Sequence, residues 1–358
     1  MSEPPTEALR VHGDRFARAG MLDFAVNVWP TPRPRRLSEA LVESLQHTSY
    51  PDEAPARLAI ARRHRRPLGE TLALDGACEA FWLLAHALPA AHAVCVHPSF
   101  AEAEAALRAA GRPVTRLVRP SGDWALDPDQ VPEDADLVVL ANPNNPTGNL
   151  DPPEQIARLA RPGRTLVVDE SFIDFVPDER ASLAGRRELP GLVVLRSLTK
   201  VWGLAGLRAG YLLGPPALVD RLAAHRQPWS VSTPALTAIE TCLAERRALG
   251  AVAAEVAAAR EDLRRRLAAI AGVRTWPAQA NFLLIEVPGG ERVIASLAAE
   301  GIAARPCESF PGLHADHIRV AVRTPAEHAV LAHALARALA RPDLPPPVLK
   351  RDPPGLCR

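Results

Sequence analysis

Four short apolar runs constrain this chain more than any other feature. They occupy residues 93–96, 137–140, 165–168 and 192–195. None is long enough for a buried helix, and none alternates apolar with polar residues as a half-exposed strand does. Unbroken runs rich in Val and Leu suit strands covered on both faces, the usual condition of a parallel sheet. Helix-like segments lie between them, at residues 101–110 and 153–160. This alternation predicts an α/β fold, with a mostly parallel sheet sandwiched by helices.

The last third reads differently. Residues 235–271 are rich in Ala, Leu and Arg and predict long helices. Strand-like runs at 281–285 and 318–322 follow, and then a helical pattern at 326–340. That combination predicts a smaller α+β domain. The expected division is a large domain over 47–240 and a small one over 241–340. The chain holds 36 prolines. Six of them fall in residues 341–358, which therefore read as a Pro-rich disordered tail.

Charge excludes some partners. Lys plus Arg number 42 and Asp plus Glu 41, so nothing in the balance favours nucleic acid or an anionic membrane. The local basic run Arg62-Arg63-His64-Arg65-Arg66 reads as a solvated helix face or a subunit contact. None of the five cysteines makes a CxxC or zinc-type spacing, so no metal site is expected and the thiols should be reduced. No basic-then-apolar leader and no run of membrane-spanning length is visible. The expectation is a cytoplasmic protein.

Polar residues that could carry chemistry cluster just after the apolar runs, where open α/β sheets bind ligands. Asp169 ends one run, and a buried carboxylate needs a cationic partner or a metal. A nucleotide-binding acid would need a GxxxxGK[ST] loop, which is absent. Asn142-Pro143-Asn144-Asn145-Pro146-Thr147-Gly148 has the composition of a tight turn. Gly76-Ala77-Cys78-Glu79 precedes an apolar helix, and helix N-terminal amides suit a phosphate. Phe100, two residues after Pro98, reads as a core side chain. Most specific is the string from Ser197 through Lys200 to Arg208 and Tyr211, a Gly-rich loop between two apolar runs. Desolvation there would lower the amine pKa of Lys200 and suit it to a Schiff base. Ser197 and Arg208, a hydroxyl and a planar fork, suit a phosphate.

This string resembles the cofactor-lysine segment of fold-type I pyridoxal 5'-phosphate (PLP) enzymes, in the branch of histidinol-phosphate aminotransferases and threonine-phosphate decarboxylases. The resemblance spans residues 11–340. It implies that Lys200 holds the cofactor, Asp169 pairs with its protonated ring nitrogen, and Asn145 donates to its phenolic oxygen. Ala77 and Cys78 would cradle its phosphate through backbone amides, with Ser197 and Arg208, and Phe100 would stack on its ring. Tyr50, in Tyr50-Pro51-Asp52, would reach the phosphate of a partner subunit, which implies a homodimer with shared active sites. Arg319 would clamp the substrate carboxylate. Residues 1–46 would join the small domain, with His12 and Asn27 near the substrate. One departure stands out: Phe172 occupies a position where many relatives have a tyrosine that bonds the cofactor oxygen.

Several segments look more like the decarboxylases than the aminotransferases. They include 169–175, 226–231, 307–313 and the second arginine, Arg323, which suits a small dianionic substrate. The first expectation is therefore decarboxylation of L-threonine phosphate to (R)-1-amino-2-propanol phosphate, a precursor in cobalamin synthesis. The alternative is an aminotransferase of the histidinol-phosphate type. A third, a PLP-binding regulator, is disfavoured because the resemblance begins within about the first dozen residues, leaving no room for a DNA-binding domain before it.

Overall fold

The computed structural model describes residues 9–30, 33–245 and 247–340. The expected Pro-rich tail lies outside the described residues.

Along the chain the elements are β1 (Leu22–Asp23), α1 (Arg35–Ser44), α2 (Ala54–His64), β2 (Thr71–Asp75), α3 (Glu79–Ala87) and β3 (Ala93–His97). Then come α4 (Glu102–Ala109), β4 (Val114–Val118), β5 (Leu137–Ala141), α5 (Pro153–Ala157), β6 (Thr165–Asp169), β7 (Leu192–Ser197) and β8 (Ala209–Leu213). The last part holds α6 (Pro216–Ala224), α7 (Thr233–Ala244), α8 (Arg247–Ala268), β9 (Arg274–Thr275) and β10 (Phe282–Glu286). It ends with α9 (Gly290–Ala299), β11 (Ile302–Ala303), β12 (Arg305–Pro306), β13 (His317–Ala321) and α10 (Pro325–Ala340).

Seven strands form the central sheet, in the order β2-β8-β7-β6-β5-β3-β4. Only β8 runs against its neighbours, β2 and β7; the other pairings are parallel. The unbroken apolar runs have a direct cause. Along β6 and β7, Leu166, Val168, Leu192 and Val194 face one hydrophobic cluster, while Val167, Val193 and Leu195 face a second on the other side. Strand side chains alternate faces, so burial on both faces demands apolar residues at every position. Each such side chain contributes about 1.5–3 kcal/mol on leaving water. The first cluster continues through α7 and α8 into β10 and β13, so one core joins the large sheet to the second one.

That second sheet is antiparallel and four-stranded, in the order β12-β13-β10-β9. The N-terminal segment divides. β1 pairs in parallel with β11, whereas α1 packs on α7, which itself lies against β2 and β8. The helical stretch expected over 235–271 is two helices, α7 and α8.

Two strands, β2 and β4, carry no unbroken Val-rich run and so were not expected; in β4, at the sheet edge, no residue is fully buried. One expectation needs correction. The basic run at 62–66 is not simply a solvated face. Arg66 is buried, donating to Glu70 and to the Ala184 carbonyl, and Arg63 donates to Glu179 at 2.5 Å. Arg62 and Arg65 are the exposed members. No helix of the described residues is long and apolar enough to cross a membrane.

Candidate active site

The C-terminal ends of β3, β5, β6 and β7 open into a cavity of about 600 Å³. One wall comes from these strand ends; the other comes from residues 9–14 and 25–28 and from the second sheet.

At the base of the first wall Asp169 closes β6. Its Oδ1 accepts from Ser171 N at 2.9 Å and from Ser171 Oγ at 2.5 Å. Burial raises its pKa, against the opposing pull of the Ser171 bonds and of the Lys200 charge. A carboxylate so placed is stabilised by a cation arriving in the cavity. Lys200, three residues past the end of β7, also lines the cavity, and its Nζ lies 5.9 Å from the centre of the Phe172 ring. Burial, and then the charges of Arg319 and Arg208, pull its pKa down to about 8, with Asp169 opposing. The amine is thus close to neutral at moderately alkaline pH, the form that attacks a carbonyl.

The opposite end of this wall is shaped for an anion. Gly76 has φ +73°, and a Cβ there would stand 2.3 Å from Arg208 Nη2. A Cβ on Gly210 would stand 2.6 Å from Ala77 N. Only glycines let the fork of Arg208 close over the Gly76-Ala77-Cys78 turn, whose amides open α3. Ser197 lines the cavity beside them, and burial pushes the Cys78 thiol up to about 12, far from a reactive thiolate.

The turn after β5 is pinned from several sides. Asn144 Nδ2 donates to Pro98 O and to Thr147 Oγ1, both at 2.8 Å, and Gly148 N donates to Asn144 O at 2.7 Å. Asn145 is thereby presented to the cavity. Its Oδ1 accepts from Arg319 Nη1 at 2.5 Å, leaving the Nδ2 hydrogens to donate.

Arg319, on β13, is buried and also donates to Ala25 O at 2.8 Å. With its amide turned so that oxygen faces the guanidinium, Asn27 accepts from Arg319 Nε at 3.2 Å and Nη1 at 2.9 Å. All these acceptors are neutral. Burial chiefly, helped by the charge of Arg305, lowers the Arg319 pKa to about 9. His12 Nε2 lies 2.7 Å from Glu102 Oε1, and its ring sits 5.5 Å from that of Phe100. Burial would raise the Glu102 pKa, but the bond and charge of His12 and the charge of Arg10 outweigh it, so Glu102 stays ionised.

Two expected site residues are not brought together with the rest. Arg323 does not line the cavity. Its guanidinium donates to the carbonyls of Asp23, Val26, Val28 and Val322 at 2.7 to 3.1 Å, fastening the N-terminal segment to the second sheet. Those bonds use the donors that a dianionic substrate would need. Tyr50 is exposed and stacks on Trp229, with ring centres 4.2 Å apart, outside the cavity of its own chain.

Two cavity residues, Glu102 and Arg305, were not expected from the sequence. Arg305, on β12 opposite Arg319 in register, lines the cavity and is buried. It donates to Val11 O at 2.5 Å and to Ser309 Oγ at 2.7 Å, and lies 5.1 Å from the Phe310 ring centre. Among the described residues neither Arg305 nor Arg319 forms an ion pair. A two-residue strand leaves no pattern that could have flagged Arg305.

A low-pKa lysine, a buried carboxylate and an arginine-capped phosphate cradle in one cavity suit a cofactor with an aldehyde, a basic ring nitrogen and a phosphate. The chain belongs to the aminotransferase class I and II family, whose pattern matches residues 20–335. PLP is the cofactor of that family and of this chain. A histidinol-phosphate aminotransferase of Mycobacterium tuberculosis is 44% identical over 341 residues, covering 93% of this chain and 91% of that protein. The threonine-phosphate decarboxylase of Salmonella typhimurium is 31% identical over 332 residues, covering 89% and 91%. The solved histidinol-phosphate aminotransferase of Clostridium acetobutylicum superposes with a TM-score of 0.84 at 25% identity, over 90% of this chain and all of that one.

Proposed function

We propose that the chain is a PLP-dependent aminotransferase that takes an amino group from a small phosphorylated amine of the histidinol-phosphate type. The observation that carries the reading is the pair of buried arginines, Arg305 and Arg319, side by side in register and facing one cavity with neutral partners alone. Two unneutralised guanidinium groups call for anionic substrate groups. A transaminase must seat a phosphorylated donor and a dicarboxylate acceptor in turn, and two forks serve both. The 44% identity to a protein named as such an aminotransferase, against 31% to the decarboxylase, supports transamination over the decarboxylation expected first.

In this reading Lys200 bears the cofactor and afterwards carries a proton on Nζ at the substrate Cα, a task its lowered pKa suits. Asp169 keeps the ring nitrogen protonated, Asn145 Nδ2 bonds the phenolic oxygen, and Ser197, Arg208 and the Ala77 and Cys78 amides hold the phosphate. When bound, PLP supplies the carbonyl that captures amines and the electron sink that weakens bonds at Cα. Arg319 and Asn27 orient the acid group of the substrate, and that orientation selects which Cα bond breaks. The active unit is a homodimer in which Tyr50 reaches the neighbouring cavity.

Decarboxylation of L-threonine phosphate is the second reading. Phe172 supports it: the buried ring beside Lys200 has no hydroxyl where many relatives place one. Its substrate also carries two anionic groups, matching the two forks. One experiment separates the readings. Purified enzyme with histidinol phosphate should stop after one turnover and resume when 2-oxoglutarate is added. Sustained carbon dioxide release from phosphothreonine without any keto acid would replace the first reading with the second.

A further inference from the structure

Away from the cavity, β10 and β13 end in a second cluster of ligating side chains. Glu286, the last residue of β10, pairs in register with His317, the first of β13. The preceding turn folds His314 back over His317. His317 N donates to His314 O at 3.0 Å, and the two imidazoles meet edge to face with centres 4.1 Å apart. His314 Nε2 is 3.8 Å from Glu286 Oε1. One ligand atom from each of the three residues lies within 4.8 Å of the others.

The geometry points to a binding site for one divalent transition-metal ion of the Zn²⁺ type, held by Glu286, His314 and one ring nitrogen of His317. Two imidazoles and a carboxylate are a borderline-soft donor set, which favours Zn²⁺ over Mg²⁺ or Ca²⁺. Ligands at about 2.1 Å from a tetrahedral ion stand roughly 3.4 Å apart, so the cluster needs only to tighten. His314 can supply that movement, because its side chain is 56% exposed. The other two ligands are held. His317 is buried and stacks on Trp276, with ring centres 5.8 Å apart. Arg274 engages Glu286 through Oε2 at 3.5 Å, which leaves Oε1 on the His314 side. Asp316 Oδ2, 4.0 Å from His314 Nδ1, is placed to orient that ring through its second nitrogen. Three protein ligands leave a fourth position to water.

The site has a consequence for the cavity. His314 ends the loop that carries Ser309 and Phe310, both of which line the cavity, and Phe310 packs in one small cluster with Trp276. An ion fixing His314 to β10 therefore braces that loop. Sequence could not show this site, since Glu286 joins the histidines only through the pairing of β10 with β13.

The test uses the full-length holoenzyme, freed of metal with EDTA and desalted. Titration calorimetry with ZnCl₂ should show one saturable site per chain, weakened at least tenfold in both His314→Ala and Glu286→Gln. Co²⁺ should give a visible band of nitrogen–oxygen ligation without a thiolate charge-transfer band. Zn²⁺ should raise the thermal midpoint of the unaltered protein but not that of His314→Ala, whose midpoint without metal reports that the exposed substitution folds normally. No saturable binding, an affinity in both variants equal to that of the unaltered protein, or a thiolate band from the cysteines would overturn the proposal.

Discussion

The two walls of the cavity are built in opposite ways. On the cofactor side each residue sits at the end of a strand or in the loop just after it, so a few consecutive residues carry position and chemistry together. On the substrate side Arg319 and Arg305 come from adjacent antiparallel strands, His12 and Asn27 from the N-terminal segment, and Glu102 from α4. The first wall is fixed by local sequence and the rigid sheet behind it. The second exists only when three distant parts of the chain meet. Changes on the cofactor wall should therefore abolish chemistry outright, whereas changes on the substrate wall should alter KM and substrate choice.

The largest expected effect is at Lys200. Lys200→Ala should remove the absorbance of lysine-linked PLP and its trapping on the protein by borohydride. It should cost on the order of 10²- to 10⁴-fold in rate from proton transfer alone. The only other lysine, Lys350, makes peptide mapping unambiguous. Asp169→Ala follows; breaking a buried charge pair costs about 3–5 kcal/mol, to be read as a fall in kcat with retained protein fold. Near-normal turnover there would break the assignment of the cofactor wall.

On the other wall, Arg319→Ala should cost about 2–5 kcal/mol in kcat/KM, the range for one lost partner of a buried charge pair. Arg305→Met should act mainly on KM for the phosphorylated substrate. Arg323→Met is the control. It leaves buried carbonyls without donors, so thermal stability should drop by about 1–3 kcal/mol while KM hardly moves. If Arg323→Met changed KM as much as Arg305→Met, the two-arginine reading of the substrate wall would be wrong.

A subtler effect joins the walls. Arg319 helps depress the Lys200 pKa to about 8. Removing that positive charge favours protonation, so Arg319→Leu should shift the titration of Lys200 upward in the apoprotein. The pH dependence of acetylation at Lys200, mapped by mass spectrometry, reads the shift; a fall would contradict the electrostatic account. The smallest signal is from Tyr50. Mixed Tyr50→Ala and Lys200→Ala subunits should regain part of the activity through hybrid dimers, and an active monomer at high dilution would end that idea.

The sequence by itself determined the parallel sheet and the cofactor wall. Double-faced burial forces unbroken apolar runs, and the polar residue that ends each run must lie at the sheet's open end. Tertiary structure alone decided the rest. Arg319, Arg305 and Arg323 are alike as letters, yet two face the cavity and the third is spent on three backbone carbonyls of the N-terminal segment and that of the adjacent Val322. Arg66 reads as part of a basic surface but is buried against Glu70. Where a guanidinium points depends on which strand it pairs across and which carbonyls remain unsatisfied there, and neither is local to the chain.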